Sequence, residues 1–265
     1  MIKIRASMLP SYADCPRRGA AKQWRSIITE MGFTLKYLPP SIGAAIGTGC
    51  HEASKIMVGH KMAGTKHNKN DAIDSAIASM QAETVEGVNM DQTTTSINDA
   101  EKQIRLLVTA FDNDVLPVIH PVEIETQCEA SVTEDVTFSG RFDILQENEE
   151  IDDWKFGSKL SYYGSQLGGY SILKKSKTGK SVKQVSIYHL PRTSIKKVYP
   201  GTKRHIFDLA SCEKAAYYTI RKIEVEMQKF IQTQNPWCFP ANPMSMMCSE
   251  KYCPAYKTSF CDMVE

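Results

Sequence analysis

The sequence lacks any long apolar run. It nowhere approaches the ~20 consecutive apolar residues that a membrane-spanning helix needs. Its beginning, MIKIRASMLPSY, also lacks an apolar stretch of the length found in signal peptides. We therefore expect a cytoplasmic protein that has no membrane partner.

The chain also lacks a marked excess of charge of either sign. Lys and Arg total 32 and Asp and Glu total 30, so net charge neither requires nor excludes a polyanionic partner. The basic residues are nevertheless clustered, and each cluster is either a solvated face or a phosphate-binding surface. One cluster comprises Arg17, Arg18, Lys22 and Arg25, and the other comprises Lys174, Lys175, Lys177, Lys180 and Lys183.

A nucleotide-binding loop and an internal repeat are missing as well. The segment TGKS has no glycine at the position that a phosphate-binding loop requires, where Lys174 stands, and it follows a helix rather than a strand. No ATP site is therefore expected. With 42% apolar residues and no clear linker, residues 1–265 are predicted to form a single domain, with a helical insertion at about 60–120.

Periodicity predicts a mixed α/β fold whose central sheet is flanked by helices. Predicted helices run from Ser11 through YADCPRRGAAKQWRSIITEM, through the segment that carries His51, and over residues 71–84 and 97–119. VEIETQCEASV, VTFSGRFDIL and EIDDWKF then read as an antiparallel meander. A glycine-containing helix, SYYGSQLGGYSILKK, two further strands and a long amphipathic helix complete the pattern.

Two aspartates and a lysine lie at the ends of two adjoining predicted strands. Because alternate strand residues share a face, Asp153 and Lys155 point one way and Asp152 points the other. If the strands pair, Asp143 converges on Asp153 and Lys155, and the two carboxylates repel unless a divalent cation lies between them. The alternative is a solvated hairpin with an ion pair worth ~1 kcal/mol or less.

The flanking segments favour the metal-site interpretation. Gln166 and Tyr170 lie four residues apart on one helical face, where they can contact a phosphate or a base. His51 follows GTGC, whose small residues permit close backbone approach, and it can supply a nitrogen ligand. A lone histidine is also commonly structural.

Eight cysteines in a reducing compartment suit metal binding or burial better than disulfides. Four of them, Cys238, Cys248, Cys253 and Cys261, lie in the last part of the chain, and Cys15 lies near its beginning. Four thiolates can hold either an iron-sulfur cluster or a zinc ion, and spacing alone does not separate these two. Ordinary buried thiols are the third alternative.

Taken in order, the motifs resemble the RecB-like branch of the PD-(D/E)XK nuclease superfamily. The motifs are G-x-G-x-His51, Gly140-Arg141-x-Asp143, Asp153-x-Lys155 and Gln166-x-x-x-Tyr170. More closely, the chain looks like the CRISPR-associated RecB-type exonucleases and their phage-encoded relatives. Those proteins carry an N-terminal cysteine and a C-terminal cysteine trio, features that read CPRR and CSEKYCPAYKTSFC here.

This resemblance implies a restriction-endonuclease-like fold and a metal-dependent DNA exonuclease. The implied Mg²⁺ or Mn²⁺ ligands are His51, Asp143, Asp153 and the backbone carbonyl of Trp154. Lys155 would activate or orient water, and Gln166 and Tyr170 would organise the site and the substrate strand. The implied [4Fe-4S] ligands, within a segment at about 238–261, are Cys15, Cys248, Cys253 and Cys261, with Cys238 as an extra candidate and Zn²⁺ as the alternative metal.

The expected substrate is DNA, held by phosphate contacts from Arg17, Arg18, Lys174 and Lys175. The resemblance suggests a role in recombination, repair or phage DNA processing, in a bacterial, archaeal or phage-infected cell. A recombination, annealing or helicase protein is a possible partner. The alternatives are an endonuclease or junction resolvase on the same fold, a DNA-binding module without activity, and a zinc-stapled structural protein.

Overall fold

Six strands form one mixed sheet in the computed structural model, which describes residues 2–134 and 136–262. The strands are β1 (Ile2–Arg5), β2 (Pro121–Ser131), β3 (Val136–Gln146), β4 (Glu150–Lys155), β5 (Gln184–His189) and β6 (Lys203–Phe207). The helices before β2 are α1 (Leu9–Asp14), α2 (Pro16–Gln23), α3 (Arg25–Glu30), α4 (Ile42–Met62), α5 (Lys69–Thr84) and α6 (Ile97–Ala110). Those after β4 are α7 (Gly164–Thr178) and α8 (Leu209–Thr233).

The strand β3 has partners along both edges. One edge pairs antiparallel with β2. The other edge pairs in parallel with β1 as far as Ser139, and antiparallel with β4 at Ile144 and Leu145. Residues 140–143 are therefore left without a strand partner on that edge, and this opening in the sheet positions the candidate site.

Two hydrophobic cores lie on opposite sides of the sheet. One core packs α1, α2, α7 and α8 against residues such as Phe138 and Phe142. The other packs α4, α5 and α6 against residues such as Ile144 and Trp154. Phe142 and Ile144 belong to different cores, so the regular alternation of β3 is interrupted around Asp143. This interruption turns the carboxylate toward the opening.

The meander, α5, α7 and α8 agree with the sequence patterns, and three details differ. The single helix predicted from Ser11 is three short helices, because the backbone leaves helical geometry at Cys15 and Trp24. Pro16 occupies the first position of α2, where its missing N–H costs no hydrogen bond. The predicted helix at 97–119 ends as a π-helical turn, Phe111–Val115, and the short strand β1 was not predicted.

Across residues 2–134 and 136–262, every helix is too short or too polar to span a bilayer.

Candidate active site

The site lies where β3 and β4 diverge. Their pairing reaches only Ile144 and Asp152, so the Trp154 amide is free of the β3 ladder. That N–H donates to Asp143 Oδ2 over 2.8 Å. The divergence therefore gives Asp143 a backbone donor and leaves space between the two strand ends for other side chains.

Asp152 and Asp153 face opposite sides of the sheet, as the strand alternation predicts. Asp152 is fully buried and accepts hydrogen bonds from Gln146, Ser186 and Arg204. Asp153 is also buried, but it lines the cleft of about 410 Å³ that contains Asp143. Asp152 is thus a structural carboxylate, and Asp153 is the one available for chemistry.

His51 reaches the site from α4. The Ser41 side chain caps this helix by accepting from the Ala44 amide. His51 Nδ1 lies 3.3 Å from Asp143 Oδ1. Burial lowers the pKa of His51, but the negative charge of Asp143 outweighs burial and the pKa is raised. The same pairing helps to hold the pKa of Asp143 below its ordinary value despite burial.

Lys155 and Asp153 form an ion pair within β4, with Lys155 Nζ 2.6 Å from Asp153 Oδ2. Burial, with the nearby charge of Asp143, raises the pKa of Asp153 to about 6 although Lys155 opposes the shift. The two carboxylates in turn raise the pKa of Lys155, so its ammonium form is favoured against burial. The cleft thus holds a permanent cation beside two carboxylates of different acidity.

Gln166 and Tyr170 lie on the face of α7 that closes the cleft. Gln166 Nε2 donates to Tyr170 Oη over 2.5 Å, and both side chains are buried. Burial, followed by the charges of Asp153 and Asp143, raises the pKa of Tyr170 far above its ordinary value. The phenol therefore stays protonated and can serve as a hydrogen-bond donor.

Glu125 belongs to this cleft and was not predicted from the sequence. It lies opposite Asp143 across the β2–β3 ladder, with a φ of 49° that non-glycine residues rarely adopt within a strand. Its Oε2 accepts from Arg141 Nε over 2.8 Å. Burial and the charge of Asp143 raise the pKa of Glu125. The register of the β2–β3 hairpin is the one sequence signal that points to this residue.

Three ligand atoms converge closely enough to share one cation. One atom each from His51, Glu125 and Asp143 lie within 4.8 Å of one another. Carboxylate oxygens are the ligands that Mg²⁺ and Mn²⁺ prefer, and an imidazole nitrogen suits Mn²⁺ better than Mg²⁺. The donor set therefore fits a divalent metal. Asp153 lines the same cleft but lies outside this group of three and is paired with Lys155.

Three of the four residues expected to contact DNA phosphates are buried, which corrects that expectation. Arg17 is 1% exposed and Arg18 is 5% exposed. Lys174 is buried and paired with Glu123. Their charges are turned inward because all three pack beneath neighbouring segments. Lys175 alone of the four is exposed.

The four predicted cysteine ligands line one small cavity between α2 and the C-terminal segment. They are Cys15, Cys248, Cys253 and Cys261, and Arg17 and Arg18 line the same cavity. Cys238 is buried elsewhere and does not line it. Within the described residues, no three of the sulfur atoms lie within 4.8 Å of one another, the spacing at which one ion is shared.

Comparison with known proteins gives one family. The profile described as the PD-(D/E)XK nuclease superfamily matches residues 4–259. No match was found among curated proteins.

Two solved structures share the general fold at low similarity. A putative exonuclease from Eubacterium rectale is 12% identical, with 71% of this chain and 77% of that chain covered and a TM-score of 0.43. An alkaline exonuclease from Laribacter hongkongensis is 11% identical, with 73% and 96% covered and a TM-score of 0.32.

Proposed function

Because the chain belongs to the PD-(D/E)XK nuclease superfamily, we propose that it is a metal-dependent DNA exonuclease of the RecB-like branch. The observation that carries this proposal is the convergence of two strand-end carboxylates, a lysine and a helix-borne histidine in one cleft. A chain that had kept the fold but lost the chemistry would be expected to lack one of these groups. The inactive DNA-binding module is therefore the weaker alternative.

The metal ligands in this proposal are His51, Asp143, Asp153 and the Trp154 carbonyl, and we add Glu125 on the geometry of the cleft. A bound Mg²⁺ or Mn²⁺ supplies charge neutralisation at the phosphate and lowers the pKa of a water molecule. Glu125 is held by Arg141, so its carboxylate is directed toward Asp143 rather than toward solvent. The strained backbone at Glu125 is consistent with a functional position.

The protein side chains orient the reactants. Lys155 projects beside Asp153, where its ammonium group can hold the attacking water and balance charge that develops on the phosphate. Its Nζ also lies 4.9 Å from the centre of the Tyr163 ring, which restricts its movement. Tyr170, kept protonated, can donate to a phosphate oxygen, and Gln166 fixes the phenol in place.

The second metal site in this proposal is a [4Fe-4S] cluster held by Cys15, Cys248, Cys253 and Cys261. Arg17 supports it, because both terminal nitrogens of this buried guanidinium lack a hydrogen-bond partner among the described residues. Its nearest carboxylate oxygen, on Asp262, is 3.9 Å away. A buried cation without a close anion is costly, and an anionic tetrathiolate centre would offset that cost.

Sulfur spacing favours the cluster over zinc. The four ligands of one zinc ion at ~2.3 Å lie roughly 3.8 Å from each other. The cavity holds its sulfur atoms too far apart for three of them to share one ion, within the part of the chain that the structure describes. A cluster of several atoms needs the wider spacing.

Digestion of end-labelled DNA tests the proposal. Linear single-stranded, linear duplex and covalently closed circular substrates are incubated with Mg²⁺, Mn²⁺ or EDTA. An exonuclease degrades the linear substrates in either metal, spares the circle and stops in EDTA. Rapid cutting of the circle would favour the endonuclease or junction resolvase, and binding without cleavage in either metal would favour the inactive module.

A further inference from the structure

A second cleft adjoins the active-site cleft at the beginning of α4. We call it the basic cleft and define it by Lys22, Arg25, Tyr37, Lys251 and Tyr252. Ala44, in the first turn of α4, lines both clefts, so the two are continuous. From Ala44 to His51 the helix rises about 10 Å. Whatever occupies the basic cleft is therefore directed along α4 toward the metal ligands.

The charge of the basic cleft is positive and uncompensated. No carboxylate lines it, and in residues 2–134 and 136–262 none of its three cations is paired with one. Arg25 donates to the Leu35 and Lys36 carbonyls, and Lys251 donates to the Met90 carbonyl. These contacts fix the side chains and leave their charge available. The positive end of the α4 dipole adds to the attraction for an anion.

Tyr37 is an exposed aromatic residue on a fixed loop. Its side chain is 66% exposed. The preceding residue, Lys36, donates its amide hydrogen to the Pro254 carbonyl over 2.8 Å. On the other side of Tyr37, the Pro40 carbonyl accepts from the Asn89 amide. An apolar ring that is held rigidly in water is a stacking surface for another flat group.

The face of α4 that joins the two clefts carries small side chains. Ala44, Gly47 and Thr48 line the active-site cleft ahead of His51. A Cβ added at Gly47 would meet no atom within 4 Å, so the space above the helix is open. A polymer can therefore lie against this face.

We infer that the basic cleft binds single-stranded DNA that leads into the active site, with phosphates on its cations and a base stacked on Tyr37. Cations combined with aromatic rings are the usual features of single-strand binding, since every base offers a face for stacking. A duplex keeps its bases stacked inside and cannot offer one to Tyr37. This inference rests on the proposed nuclease function and specifies the form of its substrate.

The other neighbouring cleft fits this role less well. It shares Arg141 and Tyr170 with the active site and carries Lys3 and Arg5. Glu129 also lines it, and Lys3 Nζ is paired with Glu129 Oε2 at 3.0 Å, so part of its charge is already neutralised. No exposed aromatic residue lines it.

The test is fluorescence anisotropy of full-length protein with a labelled oligodeoxythymidine of about 20 nucleotides, against a duplex of equal length. EDTA is present, so a metal-dependent nuclease cannot cut the probe. Tyr37→Ala should weaken single-strand binding by roughly 5- to 150-fold, the loss expected for one stacked base. Tyr37→Phe should bind like the parent protein, because stacking requires the ring and not the hydroxyl.

Tyr218→Ala is the matched control, since Tyr218 is 69% exposed on α8 and lines neither cleft. Lys22→Gln should lower the slope of log affinity against log salt by about 0.7, the value for one phosphate contact on a single strand. Equal binding by Tyr37→Ala and Tyr218→Ala, or an equal loss of duplex and single-strand binding, would overturn the inference. Failure of the parent protein to cut DNA in Mg²⁺ or Mn²⁺ would instead overturn the proposed function.

Discussion

Asp152 and Asp153 are neighbours in β4 and lie on opposite sides of the sheet. Asp152 joins a buried network with Arg204, and Asp153 pairs with Lys155 in the cleft. The two carboxylates have the same chemistry and nearly the same burial, so their different surroundings alone decide their roles. The pair therefore offers a matched comparison of a structural and a catalytic aspartate.

Asp153→Asn should reduce DNA cleavage by roughly 10²- to 10³-fold or more, because it removes a charge that serves the reaction rather than packing. Asp152→Asn should retain cleavage and lower the free energy of unfolding by about 1 to 3 kcal/mol, because it weakens a buried hydrogen-bond network. Initial cleavage rates and urea unfolding measure the two effects. The assignment fails if Asp152→Asn is the variant that loses activity while keeping its stability.

Glu125→Gln should weaken Mn²⁺ binding on the order of 10-fold, since it replaces an anionic ligand by a neutral amide of the same size. Isothermal titration with Mn²⁺ in the absence of DNA measures this directly. Arg141→Gln is the control, because it removes the partner of Glu125 and keeps the carboxylate. Unchanged Mn²⁺ affinity in Glu125→Gln would mean that Glu125 serves only to hold Arg141.

Two glycines of α4 should respond in opposite directions to alanine. A Cβ at Gly49 would collide with the backbone carbonyl of Ala76 in α5, whereas a Cβ at Gly47 meets open space. Gly49→Ala should therefore lower the free energy of unfolding by about 1 to 3 kcal/mol. Gly47→Ala should raise it by about 0.5 to 1 kcal/mol, since alanine is the better helix former.

Chemical denaturation in urea compares the two glycine variants. Similar changes in both would show that α4 does not pack closely on α5 at Gly49. That result would also remove the reason why the helix carrying His51 is held in a fixed position.

Cys15→Ser should release iron and lower stability by roughly 2 to 5 kcal/mol, a range taken from the loss of a covalent cross-link. The reason is that Cys15, in the N-terminal part, faces a C-terminal segment that otherwise has little regular structure. Iron content and the thermal midpoint are measured on protein purified without oxygen. Asp143, Asp153 and Lys155 lie on the sheet, so some cleavage should persist at low temperature.

Cys238→Ser is the control for the cysteine experiment. Cys238 is buried but does not line the cavity, so this variant should keep its iron. Loss of iron in Cys238→Ser with retention in Cys248→Ser would exchange these two residues in the ligand set. Stoichiometric zinc in iron-supplemented, anaerobic protein would replace the cluster by a zinc site.

Local sequence patterns determined most of the secondary structure. The alternation in EIDDWKF separates Asp153 from Asp152, because strand geometry fixes which residues share a face. The period of the residues along α8 likewise predicts one buried face. These inferences need only neighbours in the chain, so they hold before any tertiary contact is known.

Tertiary structure decided what lies opposite what. Glu125 joins the cleft because its strand pairs with β3 and its backbone is locally distorted, and neither condition is written in its immediate sequence. Arg17 and Arg18 read as a surface cluster but are buried, because the C-terminal segment folds back over α2. Tyr37 stands beside Lys251 only through contacts between segments that are distant in the chain. Burial and long-range pairing depend on the whole fold, so a local pattern predicts the chemistry available and the fold determines where it is used.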